Sequence, residues 1–198
     1  MSAPMVHAIL AGSKTVTRRV VKAVRGDNTL LLRKATKTKC GIVTHVMDAP
    51  GKGLCPYGEV GDRLWVRETC RVTTYFRSAR RAEVRYEADG TYGVVPIPER
   101  LKPIAPGKCI ANGCYREAAR LWLEITTVRV ERLQDIREAD AIAEGLIRDR
   151  DGFRGAADLA WYASPIAAYR SLWERINGAG SWDANPWVWA IEFKRVTP

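Results

Sequence analysis

Gly12-Ser13-Lys14-Thr15-Val16-Thr17-Arg18-Arg19 is the stretch that decides how this chain is read. Just before it, Met5 to Ala11 is an almost unbroken apolar run. Pro4 suits a first helical turn and Gly12 a left-handed stop, so a short helix is predicted over residues 4–11. After Gly12, the mixture of Thr, Val and paired Arg favours a strand from Lys14 to Val21. The segment is also strongly basic. The first forty residues hold nine Lys or Arg and a single acid, a net +8 of the +10 carried by all 198 residues. Charge so one-sided suits polyanionic partners, nucleic acids and nucleotides above all.

The length allows one well-cored domain with insertions, or two small ones. With 46% hydrophobic and 27% charged residues, the composition is that of an ordinary globular protein. Apolar runs fall far short of the roughly 20 residues that a membrane span needs, so no membrane partner is expected. Met1 to Leu10 reads as part of the fold rather than as a leader, and the expected compartment is a cytoplasm. The cysteines are odd in number: Cys40, Cys55, Cys70, Cys109 and Cys114. Cys109 and Cys114 have nearly metal-loop spacing, and Cys40, His45 and Cys55 could complete four zinc ligands. Against that, no tight CxxC pair occurs, so free thiols are the expectation and no metal or cofactor is assigned.

Farther along, residues 41–61 are rich in Gly and Pro and read as loop. Arg63 to Thr69 alternates as a half-buried strand. Residues 71–118 read as a β-rich excursion, and Arg120 to Val128 is the clearest strand, with Leu121, Leu123 and Ile125 on one face. Asp135 and Glu138 resemble a capping box that opens a helix carrying Ile136, Ala139, Ile142, Ala143 and Leu146, with Gly145 available to end it. Ser164-Pro165 opens a second helix, with Ile166, Tyr169, Leu172, Trp173 and Ile176 inward and Gly178 after it. Trp187 to Lys194 closes the chain as a strand. Strands separated by glycine-rich loops, with a few helices between them, indicate an α+β fold built as a small mixed barrel: one domain over residues 1–198.

Three features could carry chemistry. Lys14, crowded by Arg18, Arg19 and Lys22, would lose its proton more easily if shielded from water, and could then activate the Thr17 hydroxyl. Residues three apart on a regular strand face opposite ways, so the two meet only if Lys14 lies in the preceding turn; otherwise this is a solvated basic edge. Glu144, in the last turn of its predicted helix, meets the negative end of the dipole, which suits it to proton transfer; the plain alternative is a surface Glu. Of seven tryptophans, Trp65, Trp122 and Trp173 fit apolar stripes and read as core. Trp182, Trp187 and Trp189 cluster near the end, where aromatic faces beside a basic segment could stack on bases, although at least one of them reads as core. No GxGxxG, Walker A, HExxH or GxSxG pattern occurs.

Taken in order, three segments resemble the ASCH family, small β-barrel domains related to the PUA fold. Gly12-x-Lys14-Thr15-x-Thr17-x-Arg19 resembles the family's G-x-K-T-x-T-x-R signature. Gly61-Asp62-x-Leu64-Trp65-Val66 is similar to its G-D-x-L-x-V motif, and Trp189 to Phe193 to its closing aromatic strand. Cys55-Pro56-Tyr57-Gly58 and the run from Gly61 to Glu68 resemble longer members seen in phage and prophage genomes. The resemblance implies a PUA-like barrel with insertions at 71–118 and 148–180. It also implies an amidohydrolase that deacylates N4-acylcytidines such as N4-acetylcytidine, as nucleoside or base, without metal. The implied catalytic set is Lys14 as base, Thr17 as nucleophile and Glu144 as proton shuttle. Arg19 would orient substrate or face the developing charge, and Thr15, Trp65, Arg67, Glu68 and Trp187 are candidate substrate contacts. The alternative is a non-catalytic PUA-like RNA-binding module, with a metal-independent ribonuclease as a third reading.

Overall fold

The computed structural model describes residues 1–22, 31–38, 41–45, 55–110, 113–155, 158 and 160–197. Cys40 lies outside them. Pro4 and Gly12 delimit the first helix as the sequence predicts: α1 spans Ala3–Leu10 and buries Val6, Ala8 and Ile9. Gly12 follows at φ +74, where an L side chain would be strained. The fold is mixed α and β, and the chain divides into two compact units. One comprises residues 1–11, 65–123 and 195–198, the other residues 12–64 and 124–194. No helix among the described residues is long and apolar enough to cross a membrane.

The first unit is built on a three-stranded antiparallel sheet of β5 (Cys70–Phe76), β6 (Arg81–Tyr86) and β7 (Tyr92–Pro96), with β6 in the middle. Strict alternation along β6 makes the layer: Ala82, Val84 and Tyr86 are buried, Arg81 and Arg85 exposed. Cys70, Val72, Val95, Ile97, Ile110, Cys114 and Ala118 complete its core.

β1 (Val16–Val20), β4 (Arg63–Trp65), β8 (Trp122–Arg132) and β11 (Trp187–Val196) form a sheet in the order β1-β11-β8-β4, which belongs to the second unit except for Trp65, Trp122, Leu123, Arg195 and Val196 at the strand ends. One face carries a core of Val21, Cys55, Ile125, Val128, Val130, Trp189 and Ile191. A hairpin pairs β2 (Leu31–Thr38) with β3 (Gly41–His45). β3 corrects the loop expected from residue 41 onward: Ile42-Val43-Thr44 has strand propensity, and pairing with β2 outweighs the flanking glycines. α2 (Glu138–Ala143) is shorter than predicted, because Leu133–Asp135 forms a 3-10 turn and Arg137, not Asp135, precedes the helix. α3 (Pro165–Asn177) follows the sequence signals closely. Ser164 Oγ accepts from the Ile166 amide at 3.2 Å, and Ala168, Tyr169, Leu172 and Trp173 are buried, but Ile176 is 58% exposed.

A small hairpin joins β9 (Ile147–Asp149) to β10 (Gly152–Arg154), and Phe153 exchanges two 2.8 Å backbone bonds with Tyr162. Gly152 sits at φ +115, and a Cβ there would overlap the Tyr162 carbonyl. Gly152→Ala is expected to cost about 1–3 kcal/mol, measured as a lower unfolding midpoint in urea.

Candidate active site

β1 pairs antiparallel with β11, setting Val16 opposite Glu192, Thr17 opposite Ile191, Arg18 opposite Ala190 and Arg19 opposite Trp189. Alternation then sorts the signature segment by face. Lys14, Val16 and Arg18 are buried; Thr15 and Arg19, on the other side, are exposed and Thr17 is half-buried. The open edge of β1 is covered by the end of α2: the Thr15 amide donates to Ala143 O at 2.9 Å, and Lys14 bridges Glu144. A buried strand edge needs such partners, because its free amides and carbonyls have no water to turn to.

This contact buries a charge cluster. Lys14 Nζ donates to Val16 O at 2.9 Å, to Glu144 O at 2.8 Å and to Glu144 Oε2 at 2.8 Å. All three ammonium protons are thereby committed. The two side chains are only 4% and 6% exposed. Arg18 lies two residues on, on the same face. Its Nε and Nη2 donate to Glu131 Oε1 at 3.0 and 2.6 Å, and Nη2 also reaches Asp140 Oδ2 at 3.1 Å. Arg18 Nη1, 3.5 Å from Glu144 Oε1, is buried with no hydrogen-bond partner. Burial opposes the Arg18 charge, but Glu144 and Glu131 outweigh it and lift the guanidinium above its ordinary range. From α3, Tyr169 donates its hydroxyl to Glu144 Oε1 at 3.3 Å. Burial, with Glu144 beside it, pushes that phenol well above its ordinary range, so it remains a donor. Arg129 completes the cluster, pairing with Glu192 and reaching Asp140 at 3.3 Å.

Of the residues nominated from sequence, Lys14 and Glu144 meet. Thr17, Thr15 and Arg19 lie on the opposite face of β1, and Thr17 makes no bond to Lys14, because the strand is regular through Val16. Trp187 is half-buried against the core, beneath the Arg132 guanidinium at 4.4 Å. Trp65, Arg67 and Glu68 belong to the first unit. Trp65 is 40% exposed rather than core, and both Glu68 oxygens are engaged by Arg120, at 2.8 and 2.7 Å. Sequence reading passed over Arg18 and Tyr169. The signal for Arg18 was present, since a step of two from Lys14 along a strand reaches it.

Cys55 belongs to one unit, Cys70, Cys109 and Cys114 to the other, and no metal-binding cluster of His, Cys, Asp or Glu occurs among the described residues. Burial pushes the Cys70 thiol up to about 12 and raises Cys55 and Cys114 as well, whereas Cys109 is exposed. Among these four, iodoacetamide at about pH 8 is expected to alkylate Cys109 alone in the folded protein, read by peptide mass. Labelling of Cys70 at the rate of Cys109 would show that the first unit opens readily.

The arrangement as a whole is a carboxylate held out of water by an ammonium, a guanidinium and a phenol, with the two protons of Arg18 Nη1 unused. Such a group can move a proton, and the unused donor can receive an anion. No family model, curated protein or solved structure matches the chain.

Proposed function

We propose that this chain is an amidohydrolase of N4-acylated cytidines, built on a PUA-like barrel of the ASCH type, with Glu144 as its proton carrier. The observation that supports this reading is the 2.8 Å pairing of Lys14 with Glu144, two residues 130 positions apart, in a nearly water-free setting. The geometry redistributes the roles that the resemblance implies. Lys14 donates all three of its protons and therefore acts as a fixed cation that orients Glu144. Thr17 stands across the strand, so the attacking oxygen is that of water. Water adds to the acyl carbon while Glu144 takes its proton. The oxyanion of the tetrahedral intermediate is met by Arg18 Nη1. Glu144 then returns the proton to the exocyclic nitrogen as the C–N bond breaks, releasing cytidine and the carboxylic acid. The competing RNA-module reading of the same segment is weakened because Lys14 and Arg18, two of its cations, are turned inward.

Incubation with N4-acetylcytidine, followed by chromatography for cytidine, tests the proposal. Wild type and Thr17→Val are expected to release cytidine; Arg18→Lys, which lacks the unused Nη1 donor group, should lose about 10²–10³ in kcat. No cytidine from the folded wild type would end the proposal. Loss of activity in a folded Thr17→Val protein, with an acylated Thr17 in the wild type, would replace water by Thr17 as nucleophile.

A further inference from the structure

The first unit carries a surface that the hydrolase reading does not use. Two depressions of about 500 Å³ each share Ile104 as a wall. The larger-lined one is bordered by Trp65, Arg67, Lys102, Tyr115 and Arg116, and the second by Tyr75, Arg77 and the Pro103–Pro106 turn. No acidic residue lines either. Among the described residues, Arg67, Arg77 and Lys102 form no salt bridge; Arg100 pairs with Glu117 at 2.8 Å, and Arg116 lies near enough to act on the same carboxylate without a salt bridge to it. Trp65 is 40% exposed at this site in a chain that keeps Trp173 and Trp189 at 4% and 2%. Tyr115 is pinned by its hydroxyl, which donates to Pro96 O at 2.8 Å, and the Arg116 guanidinium lies 5.4 Å from the Trp122 ring centre. Tyr75 and Tyr115 are half-buried, packed against the core of this unit, which holds their rings in place.

We propose that these joined depressions bind single-stranded nucleic acid, with Arg67, Arg77, Lys102 and Arg116 on phosphates and Trp65, Tyr75 and Tyr115 offering faces to unpaired bases. Unpaired cations along a track interleaved with aromatic rings match a strand with one negative charge per nucleotide and exposed π-faces. A duplex would offer phosphates but hide its bases, and an acidic peptide would satisfy the charges but leave the rings unused. Two depressions that share Ile104 offer more room than a free mononucleotide needs. The inference stands independently of the Lys14–Glu144 chemistry.

Fluorescence anisotropy with a labelled single-stranded RNA of about twelve nucleotides tests it on the full chain. Arg67→Glu with Arg116→Glu is expected to weaken binding at least about 30-fold, and Trp65→Ala about tenfold, whereas Trp65→Phe should stay within about threefold. With about four phosphates contacted, affinity should fall with a log–log salt slope near about −3. Melting curves establish that each variant is folded, and Arg67→Gln with Arg116→Gln replaces the charge reversal should that one not fold. Undiminished RNA binding by the folded charge variants overturns the proposal. So does loss of binding on Arg19→Glu with Lys22→Glu alone, which would assign it to the N-terminal segment, or equal competition by an oligoglutamate, which would make the partner an acidic peptide.

Discussion

Glu144→Gln is expected to reduce turnover of N4-acetylcytidine by about 10²–10⁴, the largest effect of any single change on activity. The amide keeps the size of the carboxylate but offers one accepting oxygen where Glu144 offers Oε2 to Lys14 and Oε1 to Tyr169, so it can serve one of the two donors, and it cannot take a proton from water. The same change removes the anion that faces Lys14 at 2.8 Å and Arg18 at 3.5 Å, so stability must be measured alongside rate. Arg18 keeps Glu131 and Asp140, which limits the damage to the Lys14 side of the cluster. A variant that is folded by circular dichroism and lacks turnover supports proton transfer at Glu144. A folded variant retaining turnover within about tenfold of wild type would make the Lys14–Glu144 contact a tie that closes the β1 edge and nothing more.

The parts of this molecule legible in the sequence are those decided within a few residues. Pro4 and Gly12 bound α1, Ser164-Pro165 and Gly178 bound α3, and alternation along Leu121 to Ile125 marks β8. What failed was decided at long range. β3 exists because Gly41–His45 has β2 to pair with, which a count of glycines and prolines does not reveal. Asp135 looks like a helix cap, but the preceding Leu133–Asp135 turn uses those residues first. Trp65 sits in an apolar stripe and is nevertheless exposed, because burial depends on what a strand face meets. The site divides along the same line. Lys14 and Glu144 were nominated separately, whereas the carboxylates that hold Arg18 lie 113 and 122 residues away and leave no local trace. The opposite facing of Thr17 follows from alternation alone, and the regular strand realises it.

Arg120→Met is expected to be the most destabilising surface-near change in the first unit, at about 3–5 kcal/mol, or roughly 10 °C in Tm. Arg120 grips both oxygens of Glu68, a fully buried carboxylate, then reaches Asp89 Oδ2 at 2.8 Å and the Thr91 hydroxyl, with its guanidinium 4.2 Å from the Tyr86 ring centre. Removing the arginine strands the Glu68 charge among Cys70, Cys114 and Tyr86, two thiols and a phenol that burial holds toward their neutral forms. Adding Glu68→Gln removes that charge, so the double variant should be more stable than Arg120→Met alone, a coupling that a simple packing loss would not give. Acid provides an independent arm. The hydrogen bond from Arg120 holds the Asp89 carboxyl well below the usual carboxylate range. A depressed carboxyl stabilises the fold above its unfolded value, near about 4, and that contribution disappears as pH falls through the folded value. Wild type should therefore lose stability on acidification below about pH 4, and Arg120→Met should lose less over the same interval. Equal acid sensitivity in the two proteins, or a double variant no better than the single, would mean that Arg120 contributes through its stacking on Tyr86 rather than through charge.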